Sequence, residues 1–153
     1  MAIQENTEPV VMIDDDDLIR RSLEGLPKMA IREKTNLVAI VDDDDSIRTA
    51  VQDLLEAVTL PVQGFASAEE FLRSGKQRAA ACLIVDIRMP GMSGLELQEK
   101  LNAEGCRIPI IFITAHGDEK IRAQALRAGA VEFLTKPFDD EILIESVRAA
   151  LES

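Results

Sequence analysis

The chain has 153 residues, 46% hydrophobic and 29% charged, enough for one domain with a core and too few for two ordinary ones. Seventeen basic residues against 28 acidic leave a net charge of −11, and only 3% are aromatic, with no Trp or Tyr; both argue against direct binding to nucleic acid or an anionic membrane. No apolar run approaches the roughly 20 residues of a membrane span. The polar start, Met1 to Pro9, lacks an export-signal pattern, and Cys82 and Cys106 lack metal-ligand spacing, so a cytoplasmic protein with reduced thiols, one of them buried, is expected.

The first 28 residues repeat at an offset of 28, with thirteen matches and no gap. Met1, Ala2 and Ile3 fall on Met29, Ala30 and Ile31, and the acid run Asp14–Asp17 falls on Asp42–Asp45. Two copies are too few for a solenoid, so residues 1–36 are expected to be a partial N-terminal duplicate or extension.

From Leu37 onward apolar runs alternate with amphipathic stretches. Strands are expected at 37–41, 62–65, 82–85, 110–113 and 131–134, each an apolar run suited to a strand buried on both faces. Helices are expected at 46–57, 68–74, 95–101, 120–127 and 140–151; in the first, Ile47, Val51, Leu54, Leu55 and Val58 recur at helical spacing. Pro61, Pro90, Pro109 and Pro137 all fall at joints. Five strand–helix units predict an α/β fold, a (βα)₅ doubly wound parallel sheet, for a domain over 37–153.

Ligands of such sheets collect beyond the carboxyl ends of the strands. The first strand delivers Asp42 and Asp43 there, the third Asp86, the fourth Thr114 and the fifth Lys136. Three converging carboxylates repel one another and invite a hard divalent cation such as Mg²⁺. With a lysine and a hydroxyl beside them, they describe a site that receives a phosphoryl group.

The segments "IVDDDDSIR", "LIVDIRMPGMSGLEL", "IPIIFITAHGD" and "AGAVEFLTKPF" resemble the receiver domain of bacterial two-component response regulators, notably those of nitrogen fixation and nodulation. The resemblance spans 37–153 and implies the flavodoxin-like strand order 2-1-3-4-5. It implies Asp86 as phosphoacceptor and Mg²⁺ (Mn²⁺ substituting) held by Asp42, Asp43, Asp86 and the backbone carbonyl of Arg88. Lys136 would pair with phosphoryl oxygens, Thr114 and Phe133 would form the switch, and the Lys136–Pro137 bond would be cis. The implied partners are a histidine kinase or histidine phosphotransfer protein, and then a protein target or a second copy through the face of the fourth helix, fifth strand and fifth helix. No direct nucleic-acid or membrane contact is implied.

Plainer readings stand beside these. Asp44 and Asp45 read as helix caps and no more, His116 as a loop residue, Phe133 as core filling, the Arg88 side chain as solvent-facing, and Gly94 as a site of close backbone packing. The sequence stops at the end of the fifth helix, so a stand-alone regulator is expected, a phosphoacceptor with slow autodephosphorylation rather than an enzyme. The alternatives are a phosphorelay shuttle or phosphate sink, a receiver cut from a longer transcriptional regulator, and a phosphorylation-independent pseudo-receiver. A haloacid-dehalogenase-like phosphatase fits less well, since Arg88 stands where that family places a second Asp.

Overall fold

Five short apolar runs form one parallel sheet in the computed structural model, which describes residues 35–115 and 117–152. The strands are β1 (Val38–Val41), β2 (Val62–Phe65), β3 (Cys82–Asp86), β4 (Ile110–Thr114) and β5 (Glu132–Thr135), in the order β2-β1-β3-β4-β5. The helices between and after them are α1 (Asp45–Ala57), α2 (Ala68–Ser74), α3 (Gly94–Ala103), α4 (Glu119–Arg127) and α5 (Asp140–Leu151). A 3₁₀ turn at Lys76–Arg78, which the pattern does not announce, precedes β3. Residues 1–34 of the expected duplicate over 1–36 lie outside the described residues, as does His116.

The predicted elements are met to within about two residues at either end. Each helix starts where a short polar side chain accepts backbone N–H groups: Asp44, Ser67, Ser93, Asp118 and Asp139 are the N-caps, and Ser93 with Glu96 forms a reciprocal capping box. Asp45 does more than sit in a first turn, because its carboxylate pairs with Arg48 one turn on.

Burial on both sheet faces holds for β1, β3 and β4, every residue of which is buried. It does not hold for β2 and β5, which sit at the sheet edges, where Gln63 and Thr135 are exposed and only Phe65 and Phe133 are buried. An apolar run cannot tell an edge from a centre, because that depends on what packs outside it.

One core forms where Val41, Leu83, Val85 and Phe112 meet Phe71 of α2, Leu97 and Leu101 of α3 and Ala125 of α4. The other forms where Val38, Ile40, Ile84 and Ile111 meet Val51 and Leu55 of α1 and Leu143 and Val147 of α5. Alternation along the strands thus sends successive side chains to opposite cores. All strands run parallel, but their order reverses at β1, flanked by β2 and β3, and this opens a crevice beyond the carboxyl ends of β1 and β3. No helix among the described residues is long and apolar enough to cross a membrane.

Candidate functional site

Ligand oxygens of Asp42, Asp43 and Asp86 lie within 4.8 Å of one another in that crevice. Register explains the convergence: Val41 pairs with Val85, so the residues just past them leave neighbouring strands side by side. Asp42 N–H still bonds the Phe65 carbonyl, which keeps the first acid in the sheet and fully buried. Asp43 is exposed at the mouth.

Lys136 reaches in from the end of β5. Its ammonium donates to Asp42 Oδ2 at 3.0 Å and to Asp86 Oδ2 at 3.4 Å. Lys136 N–H bonds the Thr114 carbonyl at 2.8 Å, and the Lys136–Pro137 bond is cis, as expected. Burial raises the Asp42 carboxyl above the ordinary range, even though the Asp44 N–H and Lys136 pull it down. Burial also pulls the lysine down, but the hydrogen bond and charge of Asp42, then of Asp86, outweigh it and hold the ammonium above its usual value.

Asp86 Oδ1 is buried and accepts no hydrogen bond among the described residues. An orphaned carboxylate oxygen beside two further acids is the vacancy in hydrogen bonding that a cation fills, and all-oxygen donors fit Mg²⁺. The side-chain chemistry therefore fits the expected metal. Arg88 lies two residues beyond Asp86 with its side chain exposed, in keeping with the plainer reading.

Thr114 ends β4 and is fully buried. Phe133 is buried in the core, its ring 6.3 Å from that of Phe112, so the core-filling reading holds in this arrangement. Gly117 bridges the two: a Cβ there would stand 2.7 Å from the Phe133 ring edge and 3.3 Å from the Thr114 methyl. Gly94 packs as expected, since a Cβ would stand 2.2 Å from the Asp86 carbonyl oxygen.

Three further residues shape the site without being apparent in the sequence pattern. Arg48 donates to the Asp42 carbonyl at 2.7 Å, a contact foreshadowed only by its place on the first turn of α1. Glu69 of α2 accepts the Met92 N–H in the loop after Asp86. Gln98 of α3, 2% exposed, donates to the Ala125 carbonyl of α4 at 3.0 Å. Neither of the last two has a signal in the sequence, because each bonds backbone on a distant element.

Residues 38–148 match the family described as "Response regulator receiver domain". The response regulator protein TodT of Pseudomonas putida is 48% identical over 101 residues, 66% of this chain and 44% of TodT. The transcriptional regulatory protein FixJ of Azorhizobium caulinodans is 45% identical over 143 residues, 94% of this chain and 54% of FixJ. Among solved structures, FixJ-N superposes with a TM-score of 0.70 at 38% identity, covering 78% of this chain and 96% of that one. The chain spans about half the length of the curated relatives it matches.

Proposed function

Because the chain belongs to the response regulator receiver domain family of two-component systems, whose members are phosphoacceptors that interact with histidine kinases, we propose that Asp86 takes a phosphoryl group from a kinase phosphohistidine. The observation that carries this reading is the convergence of Asp42, Asp43 and Asp86 under Lys136.

A carboxylate oxygen of Asp86 attacks phosphorus as the bond to the donor nitrogen breaks, and the electron pair leaves on the imidazole. Lys136 stands beside the Asp86 carboxylate and supplies positive charge to the incoming phosphoryl oxygens. Asp42, Asp43, Asp86 and the Arg88 carbonyl would hold Mg²⁺, with Mn²⁺ able to substitute. When bound, the metal neutralises charge shared between the acids and the phosphoryl group.

The acyl phosphate adds roughly −2 charge to the pocket. Thr114 moves toward it and Phe133 follows, and α4 shifts between two arrangements. The face of α4, β5 and α5 then changes its affinity for a protein target or a second copy. The domain would work in the cytoplasm, with no contact to nucleic acid of its own. The acid run at 14–17 is assigned no catalytic part.

The test is intact-mass spectrometry after incubation with acetyl phosphate and Mg²⁺. Wild type gains one phosphoryl group, chelation before incubation prevents the gain, and Asp86→Asn gains none. Equal phosphorylation of the variant would overturn the assignment.

A second reading has its own support. Relatives named as transcriptional regulators are about twice as long as the matched region, so this receiver would control an output domain in a longer protein. Reverse transfer to a histidine phosphotransfer protein would favour the shuttle reading instead.

A further inference from the structure

Between Asp86 and α3 runs the loop Ile87–Ser93, and it is fastened at both ends. Near its start, the Ile87 carbonyl accepts the Gly94 N–H at 2.9 Å, while the Ile87 and Met89 side chains are buried. Toward its end, the Met92 N–H donates to Glu69 Oε2 at 2.9 Å, a contact across 23 residues.

Two neighbours in the first turn of α2 show that this is a specific choice. Glu70 turns back locally and accepts the Ala66 N–H. Glu69 leaves its own helix and grips the loop instead. The backbone is shaped to receive it: Gly91 has φ +76°, and a Cβ there would stand 2.6 Å from Glu69 Oε2. The carboxylate lies against bare backbone, where any side chain would push it away. Its acidity agrees, since the Met92 N–H holds the Glu69 carboxyl below its usual value. A charge-assisted bond of this kind is stronger than a neutral one.

We infer that Glu69 is a positioning residue for the phosphoacceptor pocket, fixing the loop that carries the Arg88 carbonyl from α2, a helix of the same core as α3. This rests on the functional reading above, which gives that carbonyl to the metal. Groups behind metal ligands commonly change affinity by about 10–100-fold when removed. A backbone ligand held through three intervening residues should sit at the low end.

Mg²⁺ titration of the full chain, with hydrogen exchange of the Met92 amide in the metal-free protein, tests this. Glu69→Ala should weaken Mg²⁺ binding about 5–10-fold, with faster Met92 exchange. Glu69→Gln, whose side-chain oxygen accepts the same N–H, should stay within about twofold of wild type in both. Gly91→Ala, which displaces the carboxylate, should resemble Glu69→Ala.

Unchanged Mg²⁺ affinity in Glu69→Ala overturns this inference and leaves the functional reading standing. Wild-type Met92 exchange in that variant overturns the hydrogen bond itself. A Glu69→Gln protein as weak as Glu69→Ala assigns the effect to charge and overturns the positioning role. A wild type that binds no Mg²⁺ overturns the functional reading, and this inference with it.

Discussion

The Lys136 ammonium sits 3.0 Å from Asp42 Oδ2, joining the last strand to the first across a pocket where Asp42 has no exposed surface. Removing one member of such a pair strands a buried charge. Lys136→Met should therefore lose about 1–3 kcal/mol at pH 7, the scale of a hydrogen bond between charged groups and its loss.

The same pair sets a pH dependence. The folded carboxyl of Asp42 lies above its unfolded value of 3.8, so the native state binds the proton more tightly. Its contribution is fully present below about pH 4 and declines as pH rises through the raised folded value. Without Lys136 that value climbs further, so the penalty in Lys136→Met should shrink as the solution is acidified. Urea unfolding of both proteins between about pH 4 and pH 7 reads the difference directly.

Mg²⁺ should raise the unfolding temperature saturably, because it relieves three clustered acids in the native state alone. At ten times its dissociation constant the gain is about 1.4 kcal/mol. Asp86→Asn should unfold at a higher temperature than wild type without metal, having one carboxylate fewer, and should lose most of the Mg²⁺ response. Differential scanning fluorimetry with Ca²⁺-free buffers and a Mg²⁺ series checks both outcomes.

Gly94 and Gly105 make a matched pair for packing. A Cβ at Gly94 would meet the Asp86 carbonyl oxygen at 2.2 Å and the Phe112 ring at 3.1 Å. Neither the backbone of a central strand nor a fully buried ring can yield cheaply, so Gly94→Ala should cost about 3 kcal/mol or more. Gly105, at φ +73°, has open space around it. Gly105→Ala should cost only the left-handed backbone term, about 1–2 kcal/mol. Equilibrium urea unfolding of the two variants separates the effects.

Gly117 is predicted to act on the proposed switch. Its missing Cβ leaves room for the Phe133 ring, whose edge would otherwise be 2.7 Å away. A ring edge can rotate where a backbone cannot, so Gly117→Ala should cost about 1 kcal/mol. It should also move the Phe133 ring resonances while leaving those of Phe71, in the same core but on α2, in place. Aromatic NMR spectra of wild type and variant show this.

Much of the site was legible because its residues follow from topology. Once the five apolar runs are strands of one parallel sheet, Asp42, Asp43, Asp86, Thr114 and Lys136 must gather at one edge. Contacts that depend on backbone far along the chain were not legible. Glu69 looks like any acid in a first helical turn, and Gln98 looks like a solvent-facing amide until α4 covers it. The edge strands were misjudged for a related reason: Val62 and Phe65 suggest a buried strand, yet Gln63 is exposed and, among the described strands, only β1 pairs with β2. Phe133 fits core filling and switch equally, because the ring is packed in the core and also abuts the glycine beside Thr114.

Phosphorylation of two alanine variants decides which acid run serves the pocket. With acetyl phosphate and Mg²⁺, Asp15→Ala should gain one phosphoryl group at the wild-type rate, and Asp43→Ala should gain little or none. Phosphorylation that survives in Asp43→Ala and vanishes in Asp15→Ala would place the working metal site on the first copy and contradict the account.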